Sequence, residues 1–128
     1  MKIFNQSSED MSQVPDSSVD SVVFAPPYNI DTPYSKIEGY DHKSFEEFRD
    51  FLDKVIKECV RVLKPKGLFL NESADAIYSK GKFVALSGLI QKLCLENGLN
   101  IKERHINFSQ SEDGIELTDK GPDWSEDY

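Results

Sequence analysis

An apolar run that ends in two prolines restricts the fold of this chain more than any other stretch. Residues 22–24 read Val-Val-Phe without alternation, which is typical of a strand buried on both faces of a parallel sheet. Pro26 and Pro27 lack the N–H group that a sheet ladder requires, so the strand must end before them. The sequence therefore predicts a stiff turn at the carboxyl end of a strand, from which Tyr28 projects. Open α/β sheets bind ligands at that edge.

Two amphipathic helices are predicted after this turn. Ser44 and Glu47 form a capping-box pattern, and apolar residues recur at helical spacing from there to residue 63. The run Lys64-Pro65-Lys66-Gly67 is expected to end this helix. A second helix is predicted over about residues 83–96, with Asn97-Gly98 as its C-terminal stop.

Short extended segments complete the predicted fold. Residues 68–70 read as a second buried strand and residues 99–106 as a third, edge strand. Residues 2–5 suit a short entering strand, and residues 7–13 suit a short irregular helix. The pattern predicts an α/β fold with about three strands and two amphipathic helices. Because this is a small sheet, we expect it to leave an apolar face or edge exposed.

The strand-ending turn resembles motif IV of the amino-methylating DNA methyltransferases, which methylate adenine N6 or cytosine N4. Their motif reads Asp, Asn or Ser, then Pro-Pro, then Tyr or Phe; here it reads Ala25-Pro26-Pro27-Tyr28. Similarity extends to residues 14–20 before the motif and to residues 58–67 after it. Three blocks in the right order indicate this family over roughly residues 2–106. The resemblance implies a partial Rossmann-like sheet of the S-adenosylmethionine-dependent methyltransferases.

The resemblance also implies that Ala25, Pro26, Pro27 and Tyr28 form the catalytic turn. In the family, a side-chain oxygen at the first position and the carbonyl oxygen of the first proline each accept one hydrogen of the exocyclic amine. The amine can then attack the methyl group of the cofactor S-adenosylmethionine. The target base is flipped out of DNA and stacks on an aromatic ring, here Tyr28.

The chain departs from the family pattern at three places. Ala25 has no side-chain oxygen, and losing one such preorganised group typically costs about 10²–10³ in rate. Asn5-Gln6 stands where the family usually has a Gly-Asp pair. The seven glycines are scattered, so the Phe-x-Gly-x-Gly-like turn that binds the cofactor has no counterpart. The cofactor-binding residues are therefore left unassigned.

Other polar residues give weaker signals. Glu72 follows the second predicted strand and shares a sheet edge with Tyr28 if the strands are parallel, although a solvated strand-end carboxylate is the more common case. The loop over residues 29–43 is longer than most connections, and long loops at ligand edges are often functional. His42 and His105 are far apart and lack cysteine neighbours, so no metal site is predicted.

Charge and cysteine usage restrict the partners. The net charge of −8 does not suit a DNA-binding surface. Residues 111–128 hold seven acidic residues and one lysine, so most of this charge lies in the tail. We predict a catalytic region over residues 1–108 and an acidic, disordered tail over residues 109–128.

Cys59 and Cys94 fall on apolar helix faces, and two buried thiols, with no membrane-spanning run, favour the cytoplasm.

Three hypotheses follow. The chain is the catalytic half of a DNA amino-methyltransferase of a restriction-modification type, completed by a missing C-terminal half or a complementary chain. Alternatively, it is a degenerate remnant that binds a partner or nucleic acid. The third alternative is a stand-alone methyltransferase that acts on a small molecule or a protein. The sequence does not distinguish adenine from cytosine.

Overall fold

A computed structural model describes residues 1–34 and 41–106 of the chain. The described residues form two helices and four strands, which confirms the α/β class. Their order is β1 (Val19–Phe24), α1 (Phe45–Val62), β2 (Leu63–Asn71), β3 (Ile77–Ser79), β4 (Lys82–Val84) and α2 (Leu86–Glu96). Residues 107–128 lie outside the described part, so the boundary between residues 108 and 109 stays a prediction.

Strands β1 and β2 form a parallel pair connected through α1, as the sequence predicts. Val22 pairs with Phe69, and Phe24 pairs with Asn71. The rings of Phe24 and Phe69 lie 5.8 Å apart between centroids, and both pack against the helical core. Because the strands are parallel, their carboxyl ends meet at one edge of the sheet.

The other face of this pair is open in the described part of the chain. Val23 is 79% exposed, and Leu68 and Leu70 are 52% and 51% exposed. The prediction that β1 is buried on both faces is therefore wrong here, because the described residues place helices against one face only. The expectation of an exposed apolar face is confirmed.

Helix α1 begins as the capping box predicts. The Glu47 N–H donates to the Ser44 hydroxyl at 3.1 Å, and the Ser44 N–H donates to the Glu47 carboxylate at 2.9 Å. This hydrogen bond from the Ser44 backbone lowers the pKa of Glu47. Local sequence alone thus determines where this helix starts.

Helix α1 ends at Val62, directly before the run Lys64-Pro65-Lys66-Gly67 that was predicted to end it. These four residues belong to β2, since the strand begins at Leu63 directly after the helix. The register shifts here: Val19 pairs with Leu63, whereas Ser21 pairs with Leu68. A bulge therefore holds the extra residues, and proline is tolerated at such a bulge.

The core lies between the two helices and the short strands β3 and β4. Ten residues form its buried cluster: Phe48, Leu52, Ile56, Ile77, Val84, Leu86, Leu89, Ile90, Leu93 and Cys94. Cys59 and Cys94 are buried and free, as predicted. Burial raises the pKa of both thiols to about 11, so both stay protonated at neutral pH.

Helix α2 begins three residues later than predicted. Phe83 lies in the hairpin β3–β4, where its ring packs edge-on against Tyr78 at 5.3 Å. The intervening Lys80 and Gly81 both have positive φ, 51° and 77°, which is the backbone that tight hairpins require. The hairpin turn therefore places Phe83 in a strand, although its spacing from the following apolar residues predicts a helix.

The predicted stop at Asn97-Gly98 is confirmed. Gly98 has a φ of 88°, and the Leu99 N–H donates to the Cys94 carbonyl at 3.0 Å. The strand predicted over residues 99–106 is wrong, because this segment pairs with no strand of the described chain. Residues 2–5 are exposed and not a strand, and residues 7–13 form turns rather than a helix.

Candidate functional site

The predicted catalytic turn follows directly after β1. Ala25 is exposed, Pro26 is buried, and Pro27 and Tyr28 are half-buried. Neither proline can donate to β2, so the ladder ends where the sequence predicts. The four predicted site residues thus lie together at the carboxyl edge of the parallel pair; their catalytic role is a prediction that geometry alone does not test.

The carboxyl end of β2 lies against this turn. The Glu72 N–H donates to the Phe24 carbonyl at 3.0 Å, and the Ala74 N–H donates to the Tyr28 hydroxyl at 3.0 Å. Glu72 therefore lies at the same edge as Tyr28, with an exposed side chain. The Tyr28 ring also packs on the core cluster, so its orientation is fixed by both contacts.

The turn lacks the side-chain oxygen that the family pattern has at its first position. The Ala25 side chain is a methyl group at an exposed position, so it supplies no oxygen. Within residues 1–34 and 41–106, no hydrogen bond is made to the carbonyl oxygen of Pro26. The Pro26 carbonyl oxygen is therefore available as an acceptor in the described turn.

Sequence reasoning missed two buried polar residues that follow the turn. Asn29 is 6% exposed and Asp41 is 4% exposed. A hydrogen bond between them joins the two ends of the loop over residues 29–43. Residues 35–40, with Gly39 and Tyr40, lie outside the described part. The available signal was the residue type, because Asn and Asp often close turns with their side chains.

The amino end of the parallel pair is held by a separate network. The Arg61 guanidinium donates to the carbonyl oxygens of Met11 and Val14 at 2.8 and 2.9 Å, and to the Asp16 carboxylate at 2.6 Å. Glu58 accepts from Arg61 at 2.8 Å and from the Met11 N–H at 2.6 Å. These bonds lower the pKa of Glu58, with that from Arg61 as the largest cause.

This network explains the spacing of the sequence blocks. Residues 14–20 and 58–67 contact each other across the amino ends of β1 and β2, where the Ser17 and Ser18 N–H groups donate to Arg61 and Val62 carbonyls. The third block, the turn at residues 25–28, lies at the opposite end of β1. The blocks at residues 14–20 and 58–67 are therefore two parts of one scaffold, and the block at residues 25–28 is the predicted site.

The groove between α1 and α2 is not a candidate for an S-adenosylmethionine site at the turn, because none of its lining residues belongs to the turn. This groove has a volume of about 500 Å³. Its lining residues lie between positions 46 and 97, whereas the turn covers residues 25–28. Four of its eight lining residues are acidic and two are basic; the lining consists of Glu46, Arg49, Asp50, Asp53, Lys57, Leu93, Glu96 and Asn97. Around the turn, Ala25, Asn71 and Glu72 are exposed rather than enclosed.

Metal and membrane features are absent from the described segments. No group of three or more histidine, cysteine, aspartate or glutamate residues there could hold a metal ion. None of the helices in residues 1–34 and 41–106 has the length and apolarity needed to cross a membrane.

Comparison with known proteins gives consistent matches. The N6/N4 methyltransferase profile, described as DNA methylase, matches residues 19–118. Type II methyltransferase M.BamHI of Bacillus amyloliquefaciens is 43% identical over 68 residues, which is 52% of this chain and 16% of that protein. Type II methyltransferase M.BglII of Bacillus subtilis is 35% identical over 86 residues, 66% of this chain and 22% of that protein. No solved structure matches.

The turn lies at the carboxyl edge of a parallel strand pair, where the resemblance to motif IV places it. With a profile match over more than half of its length, the chain belongs to the N6/N4 DNA methylase family. It spans less than a quarter of the length of the curated relatives that it matches. The activity of a whole methylase is therefore a proposal for this chain.

Proposed function

We propose that this chain forms the base-binding half of a DNA amino-methyltransferase active site. The main observation is the position of Ala25-Pro26-Pro27-Tyr28, which follows β1 and contacts the carboxyl end of β2 through Tyr28 and Ala74. The half-buried Tyr28 ring stacks on a flipped adenine or cytosine. The Pro26 carbonyl accepts one hydrogen of the exocyclic amine and so orients it.

S-adenosylmethionine supplies the methyl group and is bound by residues of the complementary part of the enzyme. The reason is that the lining of the groove between α1 and α2 contains no residue of the turn, and that the sequence has no glycine-rich turn. The basic surface for DNA must also come from that part, since the present chain has a net charge of −8. Buried thiols with raised pKa suit the reducing cytoplasm.

The open sheet face is where this complementary part packs. Parallel sheets are normally covered on both faces, yet Val23, Leu68 and Leu70 are exposed. The relatives are several times longer than the matched segment, so they contain chain enough to cover it. Alone, the chain should self-associate through this face. Sedimentation should show dimers or larger species, reduced by Leu70→Gln; a stable monomer at high concentration would argue against this.

A second candidate follows from Ala25. An exposed methyl group replaces the oxygen of the family motif, and a remnant that binds DNA or a partner without catalysis would tolerate that change. Methyl transfer distinguishes the two functions, because only the methyltransferase requires the Pro26 carbonyl to orient an amine.

The test uses a chimera in which a segment of this chain that includes residues 25–28 replaces the corresponding segment of M.BamHI. Methyl transfer from S-adenosylmethionine to DNA by the chimera, lost in its Tyr28→Ala variant, supports the methyltransferase. A Tyr34→Ala variant is the control, since Tyr34 is an exposed tyrosine that follows the same turn. A chimera that binds DNA but transfers no methyl group, even with Ala25→Ser, favours the remnant.

A further inference from the structure

One buried carboxylate holds the backbone that follows Tyr28. Asp41 accepts hydrogen bonds from the N–H groups of Asn29, Ile30 and Thr32 at 2.9, 3.0 and 2.9 Å. Its backbone carbonyl accepts from the Asp31 N–H at 3.0 Å. Four consecutive residues after the motif thus donate their N–H groups to a single residue.

The local backbone is shaped to receive an anion. Asn29 and Asp31 have φ values of 61° and 62°, which lie in the left-handed region that few residues other than glycine adopt. Alternating such residues with ordinary ones turns successive N–H groups toward one concave side, and such concavities bind anions. The Asp41 carboxylate occupies this position from within the chain.

The same turn is anchored on its other side. The Asn29 side chain donates to the Lys43 carbonyl at 2.8 Å and accepts from the Lys43 N–H at 2.6 Å. The Ser79 hydroxyl donates to the Asn29 carbonyl at 2.8 Å. Since Pro26 precedes Tyr28 and is buried, the backbone on both sides of the ring is fixed.

We infer that Asp41 is a positioning residue for Tyr28. Its carboxylate fixes the backbone at residues 29–32, and the Ala74 N–H fixes the hydroxyl, so the ring is oriented before a base arrives. The base-stacking consequence rests on the proposed function, whereas the positioning itself rests on the hydrogen bonds. A preorganised ring avoids the ordering cost that binding would otherwise include.

Asp41→Ala removes the carboxylate and leaves three buried N–H groups without an acceptor. Free formate has the size and charge of the missing group, so it should occupy the gap and restore the turn. A role in general packing would not respond to formate. Asp31→Asn is the matched control, because the Asp31 side chain is exposed in the same turn and bonds His42 rather than backbone N–H groups, and asparagine tolerates the left-handed backbone at this position.

The experiment uses the full 128-residue chain and two readouts. Amide exchange and tyrosine ring signals by NMR report the turn. Quenching of 2-aminopurine in short single-stranded DNA at low salt reports base stacking. We expect Asp41→Ala to lose at least tenfold in exchange protection at Asn29, Ile30 and Thr32, and about tenfold in affinity for the probe. Formate should restore both, and formamide should not.

Two results would overturn the inference: protection and probe affinity in Asp41→Ala equal to those in Asp31→Asn, or a loss that formate does not reverse. If Asp41→Ala fails to fold, Asp41→Asn is measured instead. The introduced amide keeps one acceptor oxygen but places an NH₂ group against a backbone N–H group, so that one hydrogen bond is lost. If the wild-type chain does not quench 2-aminopurine fluorescence, the result contradicts the proposed function. The positioning role of Asp41 is then tested by the NMR signals of the Tyr28 ring alone.

Discussion

The two ends of the β1–β2 pair are each held by one charged side chain that binds backbone groups of a neighbouring segment. At the amino end, Arg61 donates to the carbonyl oxygens of Met11 and Val14. At the carboxyl end, Asp41 accepts from the backbone N–H groups that follow Tyr28. Only the second network adjoins the predicted catalytic turn.

This difference separates scaffold from site. Arg61 lies on α1 and ties the entry of β1 to the helix, so its loss should weaken the fold without altering the turn. Asp41 and Ala25 lie beside Tyr28, so their substitution should alter the turn with little effect on the amino end. Substitutions at the two ends should therefore affect different measurements.

The largest effect is expected at Ala25. In the M.BamHI chimera, Ala25→Ser or Ala25→Asp supplies the second acceptor for the amine and should raise methyl transfer by about 10²–10³, or about 3–4 kcal/mol. Base binding should change less, because Tyr28 is untouched and stacking contributes about 1–3 kcal/mol. If the chimera with Ala25 already transfers methyl groups fast, and both substitutions leave the rate unchanged or lower it, the amine is activated in another way.

The next effect concerns the bulge at the amino end. A Cβ atom at Gly67 would lie 2.8 Å from both the Lys64 carbonyl oxygen and the Leu63 Cδ2 atom. Gly67→Ala should therefore lower the free energy of unfolding by about 1–3 kcal/mol in urea denaturation. Tyr28 ring signals should persist in the folded fraction, because the bulge lies at the other end of β1.

Gly88→Ala is the matched control. Gly88 lies in α2, and a Cβ atom there would be 3.7 Å from the nearest atom, the Ala85 Cβ. Alanine has the higher helix propensity, so this substitution should raise the free energy of unfolding by about 0.5–1 kcal/mol. Equal effects of the two substitutions would mean that the bulge does not restrict Gly67.

A smaller effect is expected from Arg61→Ala, because the Arg61 side chain is partly exposed and exposed ion pairs contribute little. The urea midpoint should fall, since the Met11 and Val14 carbonyls and Glu58 lose a donor. Lys64→Ala should change it less, because Lys64 and its partner Asp20 are more exposed. A midpoint equal to that of Lys64→Ala would show that the amino-end network is dispensable.

The pH dependence gives a second measurement of the same network. The folded pKa of Glu58 lies below its ordinary value of 4.5. Glu58 therefore stabilises the fold above pH 4.5, and this contribution is lost as pH falls through the folded pKa. Arg61→Ala removes the largest cause of the shift, so this part of the acid dependence should weaken in urea titrations below pH 4.5.

Local signals were sufficient for the elements that the sequence predicted well. The prolines end β1, Ser44 and Glu47 start α1, and Asn97-Gly98 ends α2, each through groups within a few residues. The errors arose where distant contacts decide. Phe83 fits helical spacing but pairs with Tyr78 across a hairpin, and residues 99–106 have a strand pattern but no partner strand.

The site shows the same limit. Ala25-Pro26-Pro27-Tyr28 is readable because the motif is contiguous and its prolines fix the turn. Asp41 was missed because it contacts residues 9 to 12 positions earlier, across a loop without periodicity. The exposed methyl group of Ala25 was predictable as a missing oxygen, whereas the contact between Tyr28 and Ala74 spans 46 positions and required the structure.

The central claim is that this chain supplies the base-binding half of the site and that the complementary part binds the cofactor. Calorimetric titration of S-adenosylmethionine into the isolated 128-residue chain, beside the M.BamHI chimera, tests it most directly. We predict weak or no binding to the isolated chain and clear binding to the chimera. Low-micromolar binding by the isolated chain would contradict the claim, because these residues would then form the cofactor site themselves.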